Sequence, residues 1–165
     1  MKNLLSISLL LFLGNFCFAQ NKTITKLLNS QLQKEYAKFY NDNERKNFII
    51  TQPFRIDEDN VMHFGFIQTN PENGEKMSIK RQVSMDKIVQ FDKDIYACFY
   101  TLENDVTEIT TRYDENGNEA ETTTEKTQIF STEINKDNDA GGFMKKVTKA
   151  LLKAGYDIDG TFWMN

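Results

Sequence analysis

Hydrophobic residues recur at helical spacing close to both ends of the chain and at strand-like spacing between them. From Lys22 to Asn41, apolar residues return every three or four positions with polar residues between them. This pattern predicts an amphipathic helix of about five turns, and Asn21 is available as its N-cap. The apolar positions of this helix are Ile24, Leu27, Leu28, Leu32, Tyr36 and Phe39.

A second helical pattern follows Ala140-Gly141-Gly142. Its apolar face is Phe143, Val147, Ala150, Leu151 and Ala154, and its basic face is Lys145, Lys146, Lys149 and Lys153. Gly155 stands where a left-handed C-cap belongs. We interpret the lysines as a solvated face in preference to an anion or lipid site. The segment from Tyr156 to Met164 is too apolar for a free end, and we expect it to dock as a short strand or clamp.

The middle of the chain has the features of strands, because β-branched and aromatic residues dominate and turn signals recur about every ten residues. Pro53 predicts an edge or bent strand, since proline has no amide hydrogen to donate. Asn73-Gly74 favours a tight hairpin. The run from Ile95 to Tyr100 is apolar on both faces and predicts a central, doubly covered strand. The predicted strands are 48–56, 61–67, 77–85, 88–91, 94–102, 106–113 and 119–134.

The last two of these strands form a long hairpin around Asp114-Glu115-Asn116-Gly117-Asn118. Its outer half is rich in Thr and Glu and has no apolar face, so we expect a protrusion near residues 105–127. Ile129, Phe130 and Ile134 are expected to return the second arm to the core. We interpret the outer part as a solvated protrusion whose charges prevent aggregation. The alternative is a strand edge offered to a partner.

The predicted fold class is α+β: an N-terminal helix, an antiparallel β-meander of six to seven strands forming a curled sheet or open barrel, and a C-terminal helix packed against it. This order resembles pleckstrin-homology-like barrels closed by a final helix, and also cystatin-like sheets wrapped on a first helix. Such a resemblance implies a fold and no particular activity.

Residues 1–19 have the order of a secretory signal peptide. Lys2 precedes an apolar run from Leu4 to Leu13, and Cys17-Phe18-Ala19 supplies the small residues of a cleavage site. We expect cleavage after Ala19, a single α+β domain over residues 20–165, and an extracytoplasmic location, periplasmic or secreted. Acylation of Cys17 is the disfavoured alternative, because bulky Phe16 precedes it.

Charge and cysteine content restrict the possible partners. Removal of residues 1–19 leaves 19 basic and 24 acidic side chains, a net charge of −5. A mildly acidic chain argues against nucleic acid and anionic lipid. Cys98 would be the only remaining cysteine, so no intramolecular disulfide is expected. We expect a monomer with no membrane span and no cofactor, and an unidentified protein or small-molecule partner.

Few side chains are candidates for chemistry. His63 is the only histidine. Alternation places it opposite the apolar face of its strand, and no motif supplies the partner that a general base needs. Cys98 lies between aromatic residues in a strand, where cysteine behaves as a small hydrophobe.

Two apparent metal motifs have simpler explanations. The Asp114–Glu119 segment places its glycine fourth, whereas a calcium loop requires glycine sixth, so we interpret it as a hairpin tip. The segment Asp157-Ile158-Asp159-Gly160 is judged in the same way. Met77, Met85, Met144 and Met164 are interpreted as core residues in preference to metal ligands.

Two functional hypotheses follow, and a third depends on lipidation. The first is a non-enzymatic extracytoplasmic binding or interaction protein, because no catalytic constellation is recognisable. The second is a hydrolase or isomerase that uses Asp92 or Asp94 with His63 in a sheet-lined pocket. The third is a lipid-anchored envelope accessory protein, which requires acylation of Cys17.

Overall fold

The computed structural model describes residues 20–36, 47–93, 95–135 and 140–159. The predicted signal segment 1–19 with Cys17 lies outside these ranges, as do Phe39, Asp94 and the end of the tail from Gly160. Helix α1 covers residues 20–36 and helix α2 covers Ala140–Ala154. The strands are β1 (Phe48–Ile56), β2 (Val61–Thr69), β3 (Lys76–Ser84), β4 (Ile88–Lys93), β5 (Tyr96–Thr101), β6 (Val106–Tyr113), β7 (Glu119–Thr127) and β8 (Ile129–Asn135).

The predicted α+β class is confirmed: antiparallel sheet lies between an N-terminal and a C-terminal helix. The eight described strands form two sheets that do not close into a barrel. One sheet has the order β1-β2-β3-β6-β7, and the other has the order β4-β5-β8. No helix in the described ranges has both the length and the apolar character needed to cross a membrane.

Helix α1 buries the predicted apolar face. Ile24, Leu28 and Leu32 are fully buried, as their spacing requires. The prediction that Asn21 caps this helix is wrong, because Asn21 lies within the helix. Its side-chain amide instead bonds Asn60 of the turn between β1 and β2. The Asn21 side chain, which the sequence predicted as a helix cap, therefore makes a tertiary hydrogen bond to Asn60 instead.

Strands β1 and β2 supply much of the aromatic core. Met62, Phe64 and Phe66 of β2 are buried on one face, as alternation predicts. Phe54 of β1 stacks on Phe64 with ring centroids 4.3 Å apart. β1 forms one edge of the five-stranded sheet, so Pro53 costs no central ladder bond. The edge position predicted for this strand is confirmed.

The three-stranded sheet contains the strand expected to be central. β5 lies between β4 and β8, and Ala97, Cys98 and Phe99 are buried. Ile95 was expected in the same buried strand but precedes it and is 67% exposed. β4 extends through Asp92 to Lys93, a pair that the sequence suggested as the turn.

The predicted last strand, 119–134, is two strands in two different sheets. β7 pairs with β6, and after Gln128 the chain enters β8, which pairs with β5. Phe130 and Ile134 are buried as expected. The same expectation for Ile129 is wrong, since it is 44% exposed. The second arm of the hairpin therefore ends at Thr127, where the chain changes sheet.

Helix α2 and the residues after it pack against the core. Phe143, Val147 and Leu151 are buried, and the four lysines of the basic face are exposed. Gly155 has φ +89°, which confirms the left-handed C-cap. Tyr156 and Ile158 are buried, and Asp159 bridges Gln90 of β4 in parallel. The docked tail is thus confirmed as far as Asp159.

Candidate functional site

The histidine has a carboxylate partner that the sequence did not identify. His63 Nε2 lies 2.6 Å from Asp57 Oδ2, and their side chains are 18% and 24% exposed. An ionised carboxylate only accepts hydrogen bonds, so Nε2 carries the donated proton. The other carboxylate oxygen of Asp57 accepts a bond from the Val61 amide at 2.9 Å. Asp57 therefore both closes the β1–β2 turn and orients the imidazole.

The carboxyl of Asp57 is held in its ionised form. Its partial burial raises the pKa, but the Val61 amide and the His63 side chain together outweigh that cost. The net result is a pKa below the ordinary value of 3.8. Asp57 is therefore an orienting anion at neutral pH and does not act as an acid.

Asn60 joins the same turn to both ends of the described chain. Its backbone is left-handed, with φ 60°, a conformation that asparagine tolerates better than most residues. The Tyr156 hydroxyl lies 2.7 Å from both Asn60 Oδ1 and Asn21 Oδ1. Asn60 Nδ2 donates to Asp86 at 3.0 Å. These contacts hold α1, the turn and the C-terminal segment together, which is a structural role.

A cavity of about 230 Å³ lies beside this cluster. Asp57 and Phe54 line it, together with Lys22 and Arg55, but His63 does not. The hydrolase hypothesis requires the imidazole and converging carboxylates to face one pocket. Among the described residues, Asp57 is the only carboxylate that lines this cavity, and it already bonds the imidazole and a backbone amide. The part of the chain that the structure describes therefore orients the histidine without bringing a second carboxylate to the cavity.

Asp92, the described one of the two carboxylates suggested as partners of His63, bonds elsewhere. It accepts from Gln90 Nε2 at 3.0 Å and from the Lys93 amide at 2.7 Å. Asp94 lies outside the described residues. Cys98 is buried in β5 and its thiol lies 3.5 Å from the Tyr96 carbonyl, as expected of a structural cysteine. Within the described ranges, no group of three His, Cys, Asp or Glu side chains is arranged to hold a metal ion.

The described methionines support their interpretation as core residues. Met85 and Met144 are fully buried and Met77 is half-buried. The tip residue Asp114 accepts bonds from the Asn116 and Asn118 amides at 2.9 and 2.8 Å. The hydrogen bonds from Asn118 lower the pKa of the Asp114 carboxyl. Gly117 has φ +82°. This is the geometry of a closed hairpin turn, as the glycine position predicted.

The hairpin of β6 and β7 is the other unusual region. β7 pairs with β6 on one side, and no other strand in the described ranges pairs with it. Eight of its nine residues are exposed and the ninth is half-buried. Its second side therefore presents backbone N–H and C=O groups to solvent along about nine residues.

The two faces of this hairpin differ in chemistry. One face forms an open depression of about 340 Å³. It is lined by Glu108, Thr110, Arg112, Glu121, Thr123 and Glu125, which we call the acidic face. On the opposite face Lys126 Nζ donates to Thr107 Oγ1 at 2.7 Å, and the Thr111 and Thr122 hydroxyls are 3.0 Å apart. Apart from Val106 at the base, neither face has a buried apolar residue.

The hairpin also holds the whole net charge of the chain. Residues 106–127 contain six acidic and two basic side chains, net −4, which equals the formal charge of all 165 residues. The remainder has 18 basic and 18 acidic side chains and is neutral. The net charge is thus concentrated in a segment whose second strand buries no side chain.

A buried arginine fixes the base of the hairpin to both sheets. Arg81 of β3 contacts Glu108 of β6 at 2.5 Å and Glu133 of β8 at 2.6 Å. It also donates to the Ser131 carbonyl and lies 5.3 Å from the centre of the Phe66 ring. Burial lowers the pKa of Arg81, but the two carboxylates outweigh it and raise the pKa. The cation therefore stays charged although its side chain is only 11% exposed.

Glu133 reaches Arg81 through an irregular backbone. Between the pairs Tyr96↔Asn135 and Cys98↔Ser131, β8 contains two residues more than β5. Glu133 lies in this bulge with φ 57°, and bulges redirect side chains. The Thr132 hydroxyl donates to the Ala97 carbonyl at 2.7 Å inside the bulge.

Sequence reasoning missed Asp57 and Arg81 for different reasons. Asp57 belongs to the turn segment Asp57-Glu58-Asp59-Asn60. Acidic residues are common in turns, so its presence there did not indicate a histidine partner. Its position six residues before the histidine, across a tight turn, was the available signal. Arg81 stood at a polar position of an alternating strand, and its burial depends on β8, about fifty residues later. No local pattern encodes that contact.

The chain matches no protein-family model, no curated protein and no solved structure. The resemblance to pleckstrin-homology-like barrels and cystatin-like sheets therefore gains no support from a related structure. Functional inference depends on the geometry alone.

Proposed function

We propose that this chain is a non-enzymatic interaction protein that captures an extended segment of a partner by strand addition at the free side of β7. Strand addition supplies affinity through backbone hydrogen bonds and specificity through alternate side chains. The observation that carries the proposal is a nine-residue edge strand that is exposed along its length while it remains fully paired on one side.

The fixed base of the hairpin supports this role. A binding strand that is already ordered loses less conformational entropy when its partner arrives. Arg81 holds the base of β6 against β8, and the tip is closed by Asp114. The edge is thus ordered at both ends before any partner is present.

The hydrolase hypothesis receives less support from the geometry. Its histidine is oriented by Asp57, but the neighbouring cavity is lined without the imidazole. An extracytoplasmic location, cleavage after Ala19 and the disfavoured acylation of Cys17 stay predictions. The intact mass of the purified chain distinguishes these processing states.

The test of the proposal uses displayed nine-residue random peptides selected against the purified chain. The counter-selection variant replaces Thr110–Thr123 with Asn-Gly, a turn that suits a two-residue hairpin. This variant keeps the Ile109↔Thr124 pair and the Glu108–Arg81 contact. We expect peptides that bind the intact chain and not the variant.

Amide hydrogen exchange then locates the bound peptide. Because alternate amides of an edge strand point away from its neighbour, we expect added protection at every second residue of Glu119–Thr127. Peptides that bind both chains equally, or that protect only amides outside β7, would contradict the proposal.

A further inference from the structure

The side chains around the free edge specify the chemistry of the partner, an inference that rests on the proposed function. We infer that the captured strand carries cationic side chains at every second position, with small hydroxyl or β-branched residues between them.

Side chains of an added strand alternate between the two faces of the sheet. On the acidic face its neighbours on β7 are Glu121, Thr123 and Glu125. Directly opposed side chains on adjacent strands lie about 5 Å apart at their Cβ atoms. A lysine or arginine opposite Glu121 or Glu125 is therefore within reach of the carboxylate.

These two glutamates are the groups left for a partner. Glu108 on the same face is engaged by Arg81. In the described parts of the chain, neither Glu121 nor Glu125 makes an ion pair, and the nearest acid partner of Arg112 is Glu75 at 3.9 Å. Arg112 lies opposite Glu121 across the β6–β7 pair, and Glu108 lies opposite Glu125. With three carboxylates and one arginine, the acidic face keeps a net negative charge.

The opposite face selects against a uniformly basic partner. Its β7 residues are Ala120, Thr122, Thr124 and Lys126, and the Lys126 ammonium is fixed on Thr107. A cation on this side of an added strand would face that like charge. Threonine or valine, by contrast, packs well against cross-strand threonines. Alternation, and not total charge, is thus what the edge recognises.

A second copy of the chain is the competing occupant. Antiparallel pairing of two β7 strands centred on Thr123 would place Glu121 of each copy opposite Glu125 of the other. Like charges directly opposed across a ladder are destabilising. Charge complementarity therefore favours a cationic strand over self-association in this register.

The experiment compares fluorescently labelled nine-residue peptides by anisotropy with the intact chain. One peptide alternates lysine with threonine, and its control has the same composition with all lysines contiguous. We expect the alternating peptide to bind about fivefold more tightly, as two exposed ion pairs allow. The difference should shrink as salt is added.

Two charge variants locate the effect. Glu121→Gln with Glu125→Gln should remove the preference for alternation. Glu58→Gln with Glu72→Gln changes net charge equally at exposed turn positions, and this variant should keep the preference. Equal binding of the two peptides, or equal loss in both variants, would overturn the inference.

The outcomes separate this inference from the proposed function. If a threonine and valine peptide without lysine protects β7 amides as well as the alternating peptide does, strand addition stands and cation recognition fails. If no selected peptide depends on the hairpin, the proposed function itself fails. A dimer in sedimentation that disappears when Thr110–Thr123 is replaced would identify a second copy as the occupant and overturn the cationic partner.

Discussion

Two hairpins of the five-stranded sheet, β1–β2 and β6–β7, have similar strand lengths but opposite environments. β1 and β2 each have nine residues, and they bury Phe54, Phe64 and Phe66 against α1 and the rest of the core. β6 and β7 have eight and nine residues, and β7 buries no side chain. The same kind of antiparallel pairing thus carries buried side chains in the first hairpin and mostly exposed side chains in the second.

The difference lies in where the stabilising free energy originates. In the first hairpin apolar burial dominates, at roughly 25 cal/mol for each Å² removed from water. In the second, the available terms are backbone pairing, threonine contacts, one buried ion cluster and the burial of Val106 at the base. The structure therefore separates a part stabilised by its apolar interior from a part whose side chains mostly face solvent.

The largest effect expected from this comparison comes from truncating the aromatic stack. Phe64→Ala should lower the free energy of unfolding by about 4 kcal/mol, because a cavity replaces a fully buried ring. Replacing Thr110–Thr123 with Asn-Gly should lower it by less, about 2 kcal/mol or below, because most of the removed side chains are exposed although four pairs between β3 and β6 are lost. Urea unfolding measures both, and comparable losses would show that the outer hairpin is part of the cooperative core.

The next effect concerns the base of the projecting hairpin. Arg81→Met should cost about 3 kcal/mol, because it leaves the carboxylates of Glu108 and Glu133 without their buried cation. The control Arg112→Met removes an exposed arginine whose ion pair with Glu75 is long, at 3.9 Å. It should change stability by less than about 0.5 kcal/mol. Equal losses in urea would mean that burial of the ion cluster is unimportant.

The smallest effect lies in the turn of the buried hairpin and depends on pH. Because the pKa of Asp57 is lowered in the folded state, its ionised form stabilises the fold above the unfolded pKa. That contribution is lost as pH falls through the folded pKa. Asp57→Asn should therefore cost about 1 kcal/mol at pH 7, and the difference from the unaltered chain should shrink in acid.

Glu58→Gln is the matched control for Asp57→Asn, since Glu58 is an exposed acid in the same turn. It should leave the free energy of unfolding nearly unchanged from pH 7 downwards. A thermal unfolding series against pH records both variants. A loss for Asp57→Asn that stays constant into strong acid would contradict the assigned role of its carboxylate.

Much of the fold could be predicted because its signals are local. The apolar spacing of Ile24, Leu28 and Leu32 specifies the buried side of α1, and Gly155 marks the end of α2. The lack of an apolar face between Thr107 and Lys126 agrees with the burial of the two strands there, in which only Thr107 is buried. Periodicity and turn chemistry are encoded within a few residues, so they can be read from a single sequence.

The boundary between β7 and β8 could not be predicted, because it depends on pairing with different partners. Thr127 and Ile129 belong to one extended run, yet they lie in separate sheets. The contacts of Asn21 with Asn60, and of Arg81 with Glu133, join residues 39 and 52 positions apart. Such pairings depend on tertiary packing, which overrides local preference.

The candidate site was predicted only as a region. The sequence singled out the threonine and glutamate ribbon and favoured the solvated interpretation over the partner edge. It did not reveal that Arg81 engages Glu108 and leaves Glu121 and Glu125 on the same face. That division depends on β3 lying beside β6, which no residue of the hairpin specifies.

The bulge in β8 restricts what position 133 can tolerate. Its backbone is left-handed, a conformation easiest for glycine and then for asparagine and aspartate. Its side chain must also reach the Arg81 guanidinium. Glycine has no side chain to do so, and the side chain of aspartate is one methylene shorter than that of glutamate. In a saturation mutagenesis library this codon should therefore accept very few replacements, even though the residue is a glutamate in an otherwise ordinary polar position.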